Sequence, residues 1–333
     1  MPNPFRHTTP PPPKSATGVT AAVYAQLAED FGIERAVTFV VLSSAPEIMA
    51  AAWALMRESL IAGDGDRTGK ELAALGASQA NRCPFCVDAH TMLLHATGDH
   101  SLAEAMVRGE TPADERHARV LAWGRASRIP GAVELTPYPF PGAHAPAYIG
   151  TVLSFHFINR IASALLTENL LPGNVQRFRA VRSLGGRSLA RTVRRRPPTG
   201  AGLALLDDPG PGPDWAHGTT VGPAYAALRD AARAGAELLD EDDRNLVREA
   251  LQAWDGTHPP LAWDELPDRS RPGARLALLA ALAPYRITGE DVTAWRKPIH
   301  TDHRLVHLVA YGAFAAVDRI ESALPVRTAK ETS

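Results

Sequence analysis

The sequence has little cysteine and no long apolar run. Its only two cysteines among 333 residues are Cys83 and Cys86. No apolar stretch approaches the roughly 18 residues of a membrane-spanning helix, so we expect no membrane partner. The formal net charge of −1 creates no overall field that attracts polyanions, so we expect no nucleic-acid partner. The proline-rich N-terminus lacks the apolar core of a signal peptide, which predicts a cytoplasmic protein.

In that compartment two neighbouring cysteines are more often catalytic or metal-binding than a structural disulfide. They occur in "NRCPFCVDAH", residues 81–90. Pro84 suits the first position of a helix, which makes Cys83 the capping residue. Cys86 and His90 are four residues apart and would share one face of that helix. The pattern alone leaves three interpretations open: a redox pair, part of a metal site, or two small core residues.

Strand signals are also scarce. The segment "VTFVVL" is β-branched, but no turn dipeptide or hairpin partner accompanies it. Capping residues and helical periodicity recur instead, and we predict helix starts at Asp66 or Thr68, at Asp99 and at Thr111. The fold class predicted is therefore all-α.

Composition divides the chain into five predicted parts. They are a disordered proline-rich tail (1–18), a catalytic domain (19–175), an Arg/Pro-rich linker (176–215), a second helical unit (216–325) and a short tail (326–333). The arginine-rich stretch lacks the interleaved aromatic residues of a nucleic-acid surface, so we interpret it as a solvated helix and linker.

The second half of the chain weakly repeats the first. Residues 273–282 resemble 69–78, and 304–312 resemble 116–124, in the same order. In this register Arg275 replaces Glu71, and neither cysteine nor the following histidine is kept. The chain is therefore predicted to be a tandem of one intact and one degenerate copy, with one site.

The intact copy contains the elements of a thiol nucleophile. A helix start favours a thiolate, and His90 can take or return the proton of Cys86. Glu71 lies on the preceding predicted helix, which would bring its carboxylate near both groups if the two helices pack antiparallel. These arguments do not decide between Cys83 and Cys86 as the nucleophile.

Two kinds of metal site could use the same residues. Zinc would take Cys83, Cys86 and His90 with Glu71 or His95 as a fourth ligand, but no second ligand pair follows downstream. Covalent haem attachment requires a histidine directly after the second cysteine, where Val87 stands. We expect no cofactor and no resident metal.

The spacing from Glu71 through "CPFC" to His90 resembles the signature of the carboxymuconolactone decarboxylase-like superfamily. Within it, the chain resembles the alkylhydroperoxidase (alkyl hydroperoxide reductase D-like) branch. The resemblance implies an all-helical homo-oligomer that reduces small hydroperoxides and is reset by an external dithiol or thiol-protein. It implies that Cys86 attacks the peroxide and that Cys83 then forms the disulfide with it, while His90 and Glu71 relay protons. Better-known members carry a histidine where Phe85 stands.

The sequence is also compatible with two other functions. One is a non-catalytic redox-sensing or metal-binding scaffold, and the other is a cofactor-free decarboxylase or isomerase of the same superfamily. Histidines outside the motif are expected to be structural or exposed. We predict a surface role for His95, a buried hydrogen-bond network around His156, Asn159 and Arg160, and a solvated face for His300, His303 and His307.

Overall fold

The computed structural model describes residues 3–169, 175, 178–296 and 299–325. In these residues the regular secondary structure is helical, and the one β pairing is an isolated bridge between Phe5 and Leu166. The all-α prediction is confirmed. None of the helices in the described part of the chain has the length and apolarity to cross a bilayer.

Fourteen α-helices are described. In chain order they are α1 (Gly18–Gln26), α2 (Val37–Leu42), α3 (Pro46–Met56), α4 (Arg67–Ala80), α5 (Pro84–Thr97), α6 (His100–Val107), α7 (Glu115–Ala126), α8 (Ala145–Leu165), α9 (Arg179–Val193), α10 (Val221–Arg233), α11 (Glu241–Ala253), α12 (Pro272–Leu282), α13 (Gly289–Trp295) and α14 (Asp302–Ala323). Single π-helical turns follow α1 and α3, at Leu27–Phe31 and Arg57–Ile61.

The helices around the cysteines start and stop where the local sequence requires. The Asp66 side chain accepts the Gly69 N–H and caps α4. Cys83 has extended backbone at the cap of α5 and Pro84 follows as its first residue. Gly98 ends α5 with a φ of 108°, a left-handed conformation that glycine adopts without strain. The cap at Asp66 and both ends of α5 are confirmed.

The start of α7 differs from the prediction. Asp99 caps α6 as expected, but the predicted start at Thr111 is wrong. The helix begins three residues after Pro112, because the Asp114 carboxylate accepts the His117 N–H at 2.8 Å and supplies the cap.

Helix α8 runs through the centre of the molecule. Almost all of its residues are buried. It packs against α4 from the N-terminal half of the chain and against α14 from the C-terminal half. A single hydrophobic core therefore extends across both halves of the chain. The predicted limits of separate domains stay predictions.

One close helix contact occurs in both halves. A Cβ on Gly124 would lie 2.4 Å from the Ala73 carbonyl oxygen, so α7 and α4 touch backbone to backbone there. A Cβ on Gly312 would lie 2.2 Å from the Ala277 carbonyl oxygen, between α14 and α12. In the alignment of the two repeats, Ala73 corresponds to Ala277 and Gly124 corresponds to Gly312. The recurrence supports the proposed duplication.

The segment after α8 is less solvated than predicted. Helix α9 packs along α5, with Gly186 close to the His95 side chain, and Arg182 is buried. The solvated-helix interpretation is wrong for this face of α9. The N-terminal segment is likewise held in place, since Arg6 donates to the Ser163 and Ile287 carbonyls at 3.1 and 2.6 Å.

Candidate active site

The α4–α5 hairpin brings Glu71 and His90 together. His90 Nδ1 lies 2.7 Å from Glu71 Oε2, and both side chains are buried. Arg67 Nε donates to the other carboxylate oxygen at 2.7 Å. Burial alone would raise the pKa of Glu71, but the Arg67 guanidinium and the His90 hydrogen bond outweigh it and lower that pKa. Glu71 is therefore an ionised carboxylate in the core.

This contact fixes the tautomer of His90. An ionised carboxylate only accepts hydrogen bonds, so Nδ1 carries the proton that it donates to Glu71. In the neutral ring Nε2 then has a free lone pair, and this atom is buried without a hydrogen-bond partner. The edge-on packing of the His90 ring against Phe155, with centroids 4.3 Å apart, holds the ring in this orientation.

Cys86 and His90 face one cavity of about 280 Å³. Its wall is almost entirely apolar. The wall is formed by helices α2, α3, α5, α8 and α9 and by the segment before α2. The apolar lining side chains include Phe31, Val37, Phe39, Met56, Phe85, Met92, Phe155, Ile158 and Leu189. Arg35 is the basic side chain of the lining besides His90, and it is half-exposed beside Glu34. The cavity thus offers a thiol and a proton acceptor to an apolar molecule.

Cys83 faces a different space. It lines a cavity of about 30 Å³ together with Arg82, Ser163 and Glu168. That volume holds a water or two but no organic molecule. Phe85 lines both cavities and so stands between them.

The two thiols are free and buried, and they interact with each other. Burial works to raise the pKa of Cys83, but the Cys86 thiol, the Cys86 backbone N–H and the Ser163 hydroxyl outweigh it and lower that pKa. Burial raises the pKa of Cys86 well above its ordinary value, and the neighbouring Cys83 adds to the effect. In the resting pair, Cys86 is therefore the thiol that keeps its proton.

The four predicted site residues, Glu71, Cys83, Cys86 and His90, lie in one region.

His95 does not have the surface position that was predicted for it. It is buried, with Nε2 2.9 Å from Glu104 Oε1 and Nδ1 3.0 Å from the His100 Nδ1, and Arg182 also binds Glu104. The surface assignment is wrong. The apolar neighbours of His95 in "MLLHA" indicate burial. The residues on α6 and α9 that take part in its hydrogen-bond network could not be predicted from the local sequence.

The network around α8 is confirmed. His156 bonds to Asn81 at 2.9 Å and to Ser127 at 2.8 Å. Arg160 donates to the Ala281 carbonyl at 2.7 Å. These bonds join the cysteine loop and α7 to the second half, which is a structural role.

Comparison with known proteins bears on the family of the chain. Residues 46–100, which contain Glu71, both cysteines and His90, match the profile described as "Carboxymuconolactone decarboxylase family". A protein of Mycobacterium tuberculosis named alkyl hydroperoxide reductase Rv2159c is 35% identical over 325 residues, which are 94% of this chain and 93% of that protein. The chain belongs to the carboxymuconolactone decarboxylase family. The resemblance to its alkylhydroperoxidase branch is confirmed. No solved structure matches this member of the family.

Proposed function

We propose that this carboxymuconolactone decarboxylase family member is a thiol peroxidase that reduces organic hydroperoxides through Cys86 and Cys83. The observation that carries the proposal is the buried Nε2 of His90, which has no hydrogen-bond partner while Glu71 fixes the other ring nitrogen, on a residue that lines the apolar cavity together with Cys86. The similar mycobacterial protein is named an alkyl hydroperoxide reductase, which supports the same reaction class.

The proposed reaction has three balanced steps. His90 Nε2 takes the Cys86 proton, and the thiolate attacks the O–O bond of the hydroperoxide. Cys86 becomes a sulfenic acid, and the alkoxide leaves as an alcohol after receiving the proton from His90. Cys83 then loses its proton and, as a thiolate, displaces hydroxide from the sulfenic sulfur; the disulfide forms, and the hydroxide takes up that proton and leaves as water. An external dithiol or thiol-protein reduces the disulfide and is itself oxidised.

Access favours Cys86 as the attacking residue. Cys83 is the thiol of the pair whose pKa is lowered, but its cavity is too small for an organic peroxide. Cys86 lies in the larger cavity with a base that shares its helix face. In the second step the lowered pKa of Cys83 favours the reaction, because a thiolate is the form that attacks the sulfenic sulfur.

The cavity wall indicates the substrate. A wall of aromatic and aliphatic side chains stabilises an alkyl or aryl group, whereas hydrogen peroxide gains nothing from it. We therefore propose small organic hydroperoxides as substrates. The proposed setting is the cytoplasm, where thiol reductants that can reset the disulfide are abundant.

The test measures consumption of cumene hydroperoxide and of hydrogen peroxide by the purified full chain with dithiothreitol as reductant. We expect turnover with a higher kcat/KM for cumene hydroperoxide. Cys86→Ser should abolish turnover. Cys83→Ser should consume one equivalent of peroxide without dithiothreitol, and dimedone should then label Cys86. Turnover that survives in Cys86→Ser would overturn the mechanism.

The same assay addresses the alternatives. A redox sensor without the proposed relay would react with peroxide no faster than an unactivated thiol, so its kcat/KM would not fall in His90→Gln. For a metal-binding scaffold, three ligand atoms would have to converge at the cysteines, and in the described part of the chain no such convergence occurs there. A decarboxylase or isomerase would be indifferent to serine at both positions, since that chemistry needs no thiol.

A further inference from the structure

A second cluster of chemically active side chains shares no residue with the two cysteine cavities. It joins Glu47, at the second position of α3, to His303 and His307 on α14. His303 Nε2 lies 3.0 Å and His307 Nε2 2.5 Å from the same carboxylate oxygen of Glu47. The two histidines are one helical turn apart, so their rings project from one face of α14. The predicted solvated face is wrong at His307, which is buried, because its partner Glu47 is distant in the chain and gave no local signal.

The cluster has the ligand set of a divalent transition-metal site. Among the described residues, this is the group of three whose ligand atoms all lie within 4.8 Å of one another. Zinc ligands at about 2.1 Å in a tetrahedron are roughly 3.4 Å apart, so small side-chain shifts complete the geometry. Glu47 and His303 are about half-exposed, which leaves them free to shift and leaves a fourth position for water.

His303 and His307 both direct Nε2 at the same carboxylate oxygen of Glu47. Without a metal ion, each neutral ring can donate an N–H hydrogen bond to that oxygen. A divalent cation can replace these protons and use the Nε2 lone pairs of both rings at once.

We propose that Glu47, His303 and His307 bind one divalent transition-metal ion of the zinc class. The site is separate from the cysteines and is structural, since its ligands come from both halves of the chain. A bound ion would fasten the N-terminus of α3 to the N-terminal part of α14.

The test uses the full chain with Cys83→Ser and Cys86→Ser, so that no thiol competes for the metal. Equilibrium dialysis with Zn²⁺ should give one saturable equivalent per chain, and the melting temperature should rise when Zn²⁺ is added. His303→Ala in the same background should lose both effects, because its side chain is half-exposed and its removal leaves the core intact. Glu47→Gln should do the same.

His217→Ala is the matched control, since it removes an exposed histidine elsewhere. It should keep the bound equivalent and the thermal shift. The proposal is overturned if the thiol-free protein binds no Zn²⁺ saturably. It is equally overturned if binding persists undiminished in both His303→Ala and Glu47→Gln. Neither result bears on peroxidase activity, which is measured on the chain with its cysteines.

Discussion

At the scale of single residues, the buried charge of Glu71 is the central feature of the candidate site. The carboxylate is held between Arg67 and His90, at 2.7 Å from each. A buried carboxylate is tolerated only when such partners replace water. Its position beside His90 also has a chemical use, because the negative charge of Glu71 stabilises the imidazolium that forms when His90 takes a proton.

We expect Glu71→Gln to reduce kcat/KM for cumene hydroperoxide roughly ten- to hundredfold. Glutamine has the same shape but no charge to stabilise protonated His90, and general-base catalysis by a positioned side chain is worth at least about that factor. His90→Gln should cause a loss at least as large while leaving the Arg67–Glu71 pair in place. Both are measured by peroxide consumption at saturating dithiothreitol.

The control is Glu115→Gln, which removes an exposed carboxylate at the start of α7. It should retain the kcat/KM of the unmodified protein. Circular dichroism melts of each variant separate lost chemistry from lost folding. A Glu71→Gln protein that is folded and fully active would remove the carboxylate from the proposed relay.

Lys70 makes stability depend on pH. It is buried and donates to the Ser59 and Gly63 carbonyls at 3.0 and 2.5 Å. Burial lowers its pKa to about 7, and nearby arginines contribute. A lysine in the unfolded chain titrates near 10.4, so between about pH 7 and 10 the unfolded state binds more protons. Stability from this group therefore rises with pH in that window and is absent below it.

The free energy of unfolding of the unmodified chain minus that of Lys70→Met should increase between pH 7.5 and 9.5. The slope should be on the order of 1 kcal/mol per pH unit, as linkage requires for about one proton. Denaturant titrations at several pH values measure it. Lys14→Met removes an exposed lysine and should give a flat difference. A flat difference for Lys70→Met as well would contradict a lowered pKa.

At the scale of elements, local signals predicted the helix that carries the site. Pro84 and Gly98 mark both ends of α5, and the spacing of Cys86 and His90 gives their shared face. Local signals failed at Thr111, where a second capping residue lay three positions later. They also failed for α9, because the burial of Arg182 depends on Glu104, which belongs to another helix.

Helix contacts at glycine give an element-scale prediction. Gly124→Ala and Gly312→Ala should each lower the free energy of unfolding by about 2 kcal/mol, even though alanine is the better helix former. The added methyl group would lie within 2.4 Å of the Ala73 oxygen in the first case and 2.2 Å of the Ala277 oxygen in the second. Neither backbone oxygen can rotate away. Urea unfolding measures the loss.

Gly289→Ala is the matched control, since Gly289 is helical and a Cβ there meets no atom within 4 Å. It should be neutral or stabilising by less than about 1 kcal/mol. If Gly312→Ala behaved like Gly289→Ala, the equivalence of the two helix pairs would lose its support.

At the scale of the whole molecule, the sequence predicted the fold class but not how distant segments meet. The Glu71–His90 contact lies within one hairpin, so spacing was enough to predict it. Glu47 meets His303 because the fold brings the start of α3 to the N-terminal part of α14, and Arg6 likewise reaches Ile287 from the other end of the chain. Such contacts depend on the packing of helices that are far apart in the chain.

The proposed duplication bears on assembly. If the second half replaces contacts that single-copy relatives make between subunits, we expect a homo-oligomer with few subunits. Sedimentation velocity measures its mass against the 35.7 kDa of one chain. A species of one chain mass at micromolar concentration would contradict the expected homo-oligomer.

The packing of α9 on α5 has a practical consequence for anyone who shortens this protein. Leu189 closes one side of the cavity, and with Val193 it covers Leu93 and Ala96 on the outer face of α5. A fragment that stops at residue 175 would keep every proposed catalytic group and lose that cover. The shortest fragment that keeps this wall of the cavity therefore extends at least through Val193, well past the segment that matches the family.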